Sequence, residues 1–189
     1  MPRDTRTPPL RTEGVFSVSG STVISAPREE VWKTLLDFNS YPQWNPFTRK
    51  QLVVDSSGSP HYDPTPTEGK YLSMTVHIPP TMGTPGPFGT GSAFCEITVI
   101  DHDNYRVAWE SAPTLLRPSV LLRTERWQIL TEGPDGNTKY ESFEVFSGPL
   151  AYLVKLFVGS GLKLGFKAFA DSLKERVESL QAATSVSGL

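Results

Sequence analysis

The C-terminal part of the chain carries an apolar stripe that has to be covered by something else. Leu162, Phe166, Phe169, Leu173, Val177 and Leu180 step by three and four residues, so they lie along one face of a helix within a helical region of about 150–182. Most of what precedes it reads as strands: roughly 48–55, 70–78, 93–101, 104–111, 120–132 and 137–147 alternate or are rich in β-branched and aromatic residues. "DHDN" at 101–104 and "GPDG" at 133–136 are tight-turn sequences, so neighbouring strands form antiparallel hairpins. A long helix laid on an antiparallel sheet, with the helices segregated to one face, is an α+β architecture.

The N-terminal half supplies the remaining pieces. Residues 1–13 are polar and rich in Pro and Arg and read as a flexible tail, as do 183–189; the span 14–182 reads as a single domain. "GVFSVSGSTVIS" (14–25) is a strand. The helix over 25–38 has Ser25 as its N-cap, Pro27 and Glu29–Glu30 in its first turn, and Val31, Leu35 and Phe38 on one face. "YPQWNPF" (41–47) follows, with Pro42 and Pro46 forbidding a long helix or a central strand, so it is a corner. The Pro/Gly loops 59–69 and 79–91 have the composition of lids or of surface excursions. "GSG" (159–161) and Gly165 kink the last helix or let it approach another backbone.

Composition excludes several functions. The formal net charge is −2 and no stretch of sequence concentrates Lys or Arg, which argues against a nucleic-acid or anionic-membrane partner. The most apolar stretch, 149–170, is interrupted by Lys155, Lys163 and Lys167 and is a poor membrane span. A single Cys95, the absence of an apolar secretory core at the start and the lack of a retention address at the end point to a soluble cytoplasmic protein. His61, His77 and His102 are scattered and make a metal site improbable, and "GPFGTG" lacks the strand–helix setting of a phosphate loop, so no cofactor is expected. Nothing in the residues sets the oligomeric state.

Strand parity then picks out a site. With Pro134 and Asp135 as a two-residue turn, opposed positions sum to 269: Arg123 meets Phe146, Glu125 meets Glu144, Trp127 meets Ser142, and Ile129 meets Tyr140. The face carrying Thr124, Arg126, Gln128, Lys139 and Glu141 is the wetter, so the first set should line the interior. A three-residue turn would destroy this pairing. Glu125 and Glu144 would then oppose one another within an aromatic lining beside Arg123, either as an Arg-bridged cluster or as a pair sharing a proton. Such a group suits acid–base chemistry, the orientation of a polar ligand head, or a structural ion-pair network at the sheet rim. Met74 and Trp109 also face inward by alternation, and Phe88 sits in the second Pro/Gly loop as a further wall candidate.

"SAPREEVWKTLLDFNSYPQWNPF", "RVAW" at 106–109, "NTKYESFEVFSG" and the long final helix resemble the SRPBCC superfamily, the START-like, Bet v 1-like helix-grip proteins that include polyketide cyclases and the coenzyme Q-binding group. The likeness spans about 14–180. It implies a curved sheet of six to seven strands gripping the C-terminal helix, two short helices after the first strand, and an apolar cavity between sheet and helix, with Trp44 and Phe47 plugging one end. It also implies a hydrophobic small-molecule ligand. Two functions follow as alternatives. One is a cyclase- or aromatase-like enzyme in which Glu125 or Glu144 moves a proton, Arg123 and Tyr140 stabilise an oxyanion, and Trp109, Trp127, Ser142 and Phe146 line the pocket. The other is a non-catalytic carrier of a lipid, quinone or secondary metabolite. A partner-regulating role has less support, because docking on the sheet already accounts for the helix stripe.

Overall fold

The computed structural model describes residues 6–114 and 118–187. Alternation and β-branching produce strand β1 (Phe16–Ile24), and Pro27, extended and unable to donate, starts helix α1 at Arg28–Leu36. Pro27 is the N-cap; Ser25 instead donates its backbone N–H to Glu178 at 2.9 Å, so the capping role expected of Ser25 is replaced by a tie to the last helix. A 3₁₀ turn (Phe38–Ser40) and the short helix α2 (Tyr41–Trp44) form the corner. There follow β2 (Thr48–Val54), β3 (Tyr71–His77), β4 (Thr90–Asp101), β5 (Arg106–Ser111), β6 (Arg123–Glu132) and β7 (Thr138–Ser147). The helical region is two helices, α3 (Leu150–Phe157) and α4 (Gly159–Ser187), broken at Val158 just ahead of the "GSG". Helix α4 thus runs through residues 183–187, which the sequence reading assigns to a tail, whereas residues 188–189 and 1–5 lie outside the described residues.

Among the described residues the strands form one antiparallel sheet in the order β1-β7-β6-β5-β4-β3-β2. The α4 stripe docks on its concave face: Leu162, Phe166, Phe169, Leu173 and Val177 are buried, while Leu180 runs past the sheet and is exposed. Two glycines permit the close approach. A Cβ on Gly20 of β1 would stand 2.2 Å from the Phe166 carbonyl oxygen, and one on Gly165 would stand 2.4 Å from the Phe47 ring. Backbone lies on backbone at the first, and an aromatic ring lies against the helix backbone at the second.

The corner is a brace. Asn45 Oδ1 accepts from the backbone N–H groups of Phe47 and Thr48, both at 2.9 Å, and fixes the turn into β2. Tyr41, fully buried, donates its hydroxyl to the Leu35 carbonyl at 2.6 Å and packs edge-on against Phe169. Trp44 packs on the same Phe169.

One register differs from expectation. Residues 134–136 form a three-residue turn closed by the Gly133 N–H to Asn137 carbonyl bond at 2.8 Å, with Asp135 and Gly136 both at positive φ. The one extra residue in the turn moves β6 by one position against β7. The pairs are therefore Thr124–Phe146, Arg126–Glu144, Gln128–Ser142 and Leu130–Tyr140. Tyr140, Ser142, Glu144 and Phe146 keep their inward face, but Arg123, Glu125, Trp127 and Ile129 turn outward.

The outward face is not bare. Val99, Ala108, Trp127, Phe143 and Val145 form a second small core there. The segment expected as a loose tail lies across this side: Arg6 bridges Glu68 at 3.1 Å, Pro9 is buried, and the Arg11 guanidinium sits 5.0 Å from the Phe143 ring centroid.

Candidate functional site

Between the concave sheet and the two last helices lies a cavity of about 270 Å³. Phe47 closes one side from the corner, Met74, Val76, Cys95 and Trp109 come from the middle strands, and Phe146 from β7. Val154 of α3, Val158 at the break and Leu162 of α4 form the helical wall. Its polar groups are Ser92, Ser111, Thr124, Arg126 and Glu144.

Arg126 dominates the electrostatics. It is only 5% exposed, and its Nη2 has no hydrogen-bond partner. Nε donates to Ser142 Oγ at 3.2 Å. The guanidinium carbon stands 4.3, 5.1 and 5.6 Å from the ring centroids of Phe166, Phe169 and Trp109. A cation held among aromatic faces gains from their quadrupoles, but an unsatisfied buried N–H remains costly unless a ligand accepts from it. The register places Trp109, Arg126 and Glu144 in one row across β5, β6 and β7. Directly opposed residues carry their Cβ atoms roughly 4.5–5.5 Å apart, and both Arg126 and Glu144 line the same cavity.

Beneath this row Tyr140 donates its hydroxyl to Gln128 Oε1 at 2.6 Å. Burial pushes the Tyr140 phenol up to about 12. Burial likewise raises Tyr41 well above the ordinary tyrosine value. Both phenols therefore stay neutral at physiological pH and act as hydrogen-bond donors.

Of the residues singled out in the sequence, Glu144, Phe47, Met74, Trp109 and Phe146 line the cavity. Tyr140 and Ser142 are buried directly below it, the latter holding Arg126. Trp44 packs behind the corner, and Phe88, fully exposed in its loop, does not reach it. Arg123, Glu125 and Trp127 are on the outer face for the register reason given above. An arginine-bridged acid pair does exist there, but its members are Glu110 and Glu125. Arg123 donates from Nε and Nη2 to Glu110 at 2.5 and 2.7 Å and lies 3.6 Å from Glu125, whose other oxygen accepts from Trp127 Nε1 at 2.8 Å. That cluster does not line the cavity.

The sequence reading missed Arg126 and Thr124 because it assigned the Thr124–Gln128 face to water. Ser111, two residues beyond Trp109 on the same face of β5, was not singled out, although the alternation of that strand could have found it. Loop 59–69 does not border the cavity, and loop 79–91 touches it at Gly91.

A curved antiparallel sheet gripping a long helix over an apolar cavity is the helix-grip architecture of the START-like, Bet v 1-like SRPBCC superfamily. Solved structures of the same shape include a START superfamily protein from Mycobacterium smegmatis (TM-score 0.55, 17% identity, 87% of this chain and 98% of that one). Norcoclaurine synthase from Thalictrum flavum is also similar (TM-score 0.56, 13% identity, 85% of this chain and 92% of that one). The chain belongs to the polyketide cyclase / dehydrase and lipid transport family, which matches residues 15–178. It is also 28% identical, over 92% of both chains, to oxopyrrolidines biosynthesis cluster protein O of Penicillium oxalicum.

Proposed function

We propose that this protein binds a hydrophobic, oxygenated small molecule of secondary metabolism in the cavity and promotes its cyclisation or dehydration. The observation that carries the reading is Arg126: a buried guanidinium among aromatic rings whose open N–H is suited to a carbonyl or enolate oxygen. Glu144, opposite, takes a proton from the carbon next to that carbonyl, and Arg126 stabilises the enolate oxygen as charge develops. The enolate carbon bonds to a second carbonyl of the same molecule. The proton held by Glu144 passes to the new alkoxide, and loss of water then completes the ring. The apolar walls of Phe47, Trp109 and Phe146 hold the chain folded for closure, which lowers the entropic barrier. Family membership and the biosynthesis-cluster relative support a secondary-metabolite ligand.

The second reading is a carrier without chemistry. It is favoured by the placement of Glu125 outside the cavity, which leaves one carboxylate where an acid pair was expected. Incubating the protein with linear poly-β-ketone analogues, and following both release and product by mass spectrometry, separates the two. Cyclised product lost in Glu144→Gln supports the enzyme, and ligand returned intact supports the carrier.

A further inference from the structure

We infer that α3 docks this protein on an anionic lipid surface and sets the cavity against the bilayer. Helix α3 is apolar on both sides. Its inner stripe, Ala151 and Val154, continued by Val158 just past its end, packs on the core and forms cavity wall. Its outer side presents Tyr152, Leu153, Leu156 and Phe157, the last two 74% and 75% exposed. A helix apolar all round is ordinarily covered by another element. Val120 and Leu121 extend the same patch, because the Leu121 carbonyl accepts the N–H of Leu150 at the start of α3.

The charges around the patch identify its occupant. From Val145 to Ala170 there is no Asp or Glu, but there are Lys155, Lys163 and Lys167. In the sequence no stretch concentrates Lys or Arg, which argues against an anionic-membrane partner. The fold instead brings Lys155 and Lys163, both exposed, to one hollow beside α3, eight residues apart in a chain whose overall charge is negative. Lys167 is paired with Asp171, which leaves Lys155 and Lys163 as the cations beside the patch. Apolar side chains flanked by exposed cations are the makeup of an interfacial helix, whose lysines meet lipid phosphates while its leucines and aromatics enter the acyl boundary. A second copy is a poor occupant, since a two-fold contact through this face would bring the lysines of both copies together. No helix among the described residues is long and apolar enough to cross a membrane, so the attachment is peripheral. Val154 and Val158 stand on the reverse side of the docking helix, so an apolar ligand would pass between bilayer and cavity with little exposure to water. That last step rests on the ligand-binding reading above; the docking itself does not.

The test is co-sedimentation of the full chain with vesicles of phosphatidylcholine alone or mixed with phosphatidylglycerol. Wild type should partition onto the mixed vesicles and weaken with added salt. Leu156→Glu/Phe157→Glu should lose binding by about tenfold or more, and Lys155→Glu/Lys163→Glu should lose the preference for the anionic lipid. All four side chains are exposed, so an unchanged circular dichroism spectrum is expected of both variants. Arg126→Met should still bind vesicles, which separates this proposal from the cavity reading. Failure of wild type to sediment, equal sedimentation of the variants, or a wild-type dimer dissolved by Leu156→Glu/Phe157→Glu would each overturn it.

Discussion

The guanidinium of Arg126 stands 4.3 Å from the ring centroid of Phe166, so a charge from the middle of the sheet rests on the gripped helix at the base of the cavity. Such a buried charge with an open N–H does little for stability. Arg126→Met should leave the melting temperature unchanged or raise it. A strongly destabilised variant in chemical denaturation would instead make Arg126 a structural residue.

Glu144 and Glu125 lie on opposite faces of the sheet, so they should behave differently. Glu144→Gln should alter ligand handling and abolish any turnover. Glu125→Gln should leave both intact and only weaken the outer contacts with Trp127 and Arg123. Parallel assays of the two variants check this, and equal losses would contradict it.

Helix α4 also lies tightly against the corner, where Gly165 meets Phe47. Gly165→Ala inserts a methyl 2.4 Å from a ring that is itself packed against Phe166. Overpacking of this kind destabilises by about 1–3 kcal/mol, despite the better helix propensity of Ala. Urea unfolding measures it.

Burial raises Tyr140 from the ordinary tyrosine value of 10.0 to about 12 in the folded protein, and raises Tyr41 as well. The folded state keeps these protons where the unfolded state releases them. The stability they contribute is therefore complete below pH 10 and falls as pH rises toward 12. A spectrophotometric titration should show exposed tyrosines ionising first, with the buried pair following only with unfolding. Tyr140→Phe should flatten the alkaline loss of stability.

Much of this fold was legible because its signals were local: alternation, turn residues, the Pro-bounded corner and the α4 stripe each define their own segment. The cavity side of β7 was equally readable, since Tyr140, Ser142, Glu144 and Phe146 kept their face. The β6 side was not. Its parity hangs on one extra residue in the 134–136 turn, and both faces of this part of the sheet are buried. Trp127 and Phe143 are as apolar as any core pair, yet they belong to a second cluster on the convex face, with Arg11 stacked over Phe143. Alternation cannot tell such a face from the true interior. Arg126 was hidden for the same reason, because a charge reads as solvent-facing unless the rings around it are already placed.

The central claim, that Arg126 selects an oxygenated ligand inside the cavity, is tested most directly by titration calorimetry. Wild type and Arg126→Met would each be titrated with a hydroxylated naphthoquinone and with naphthalene. Loss of one charge-assisted hydrogen bond removes about 1.5–3 kcal/mol, so the variant should bind the quinone about tenfold or more weakly. Its affinity for naphthalene should not change. Equal quinone affinity in the two proteins, or an equal loss for both ligands, would contradict the account.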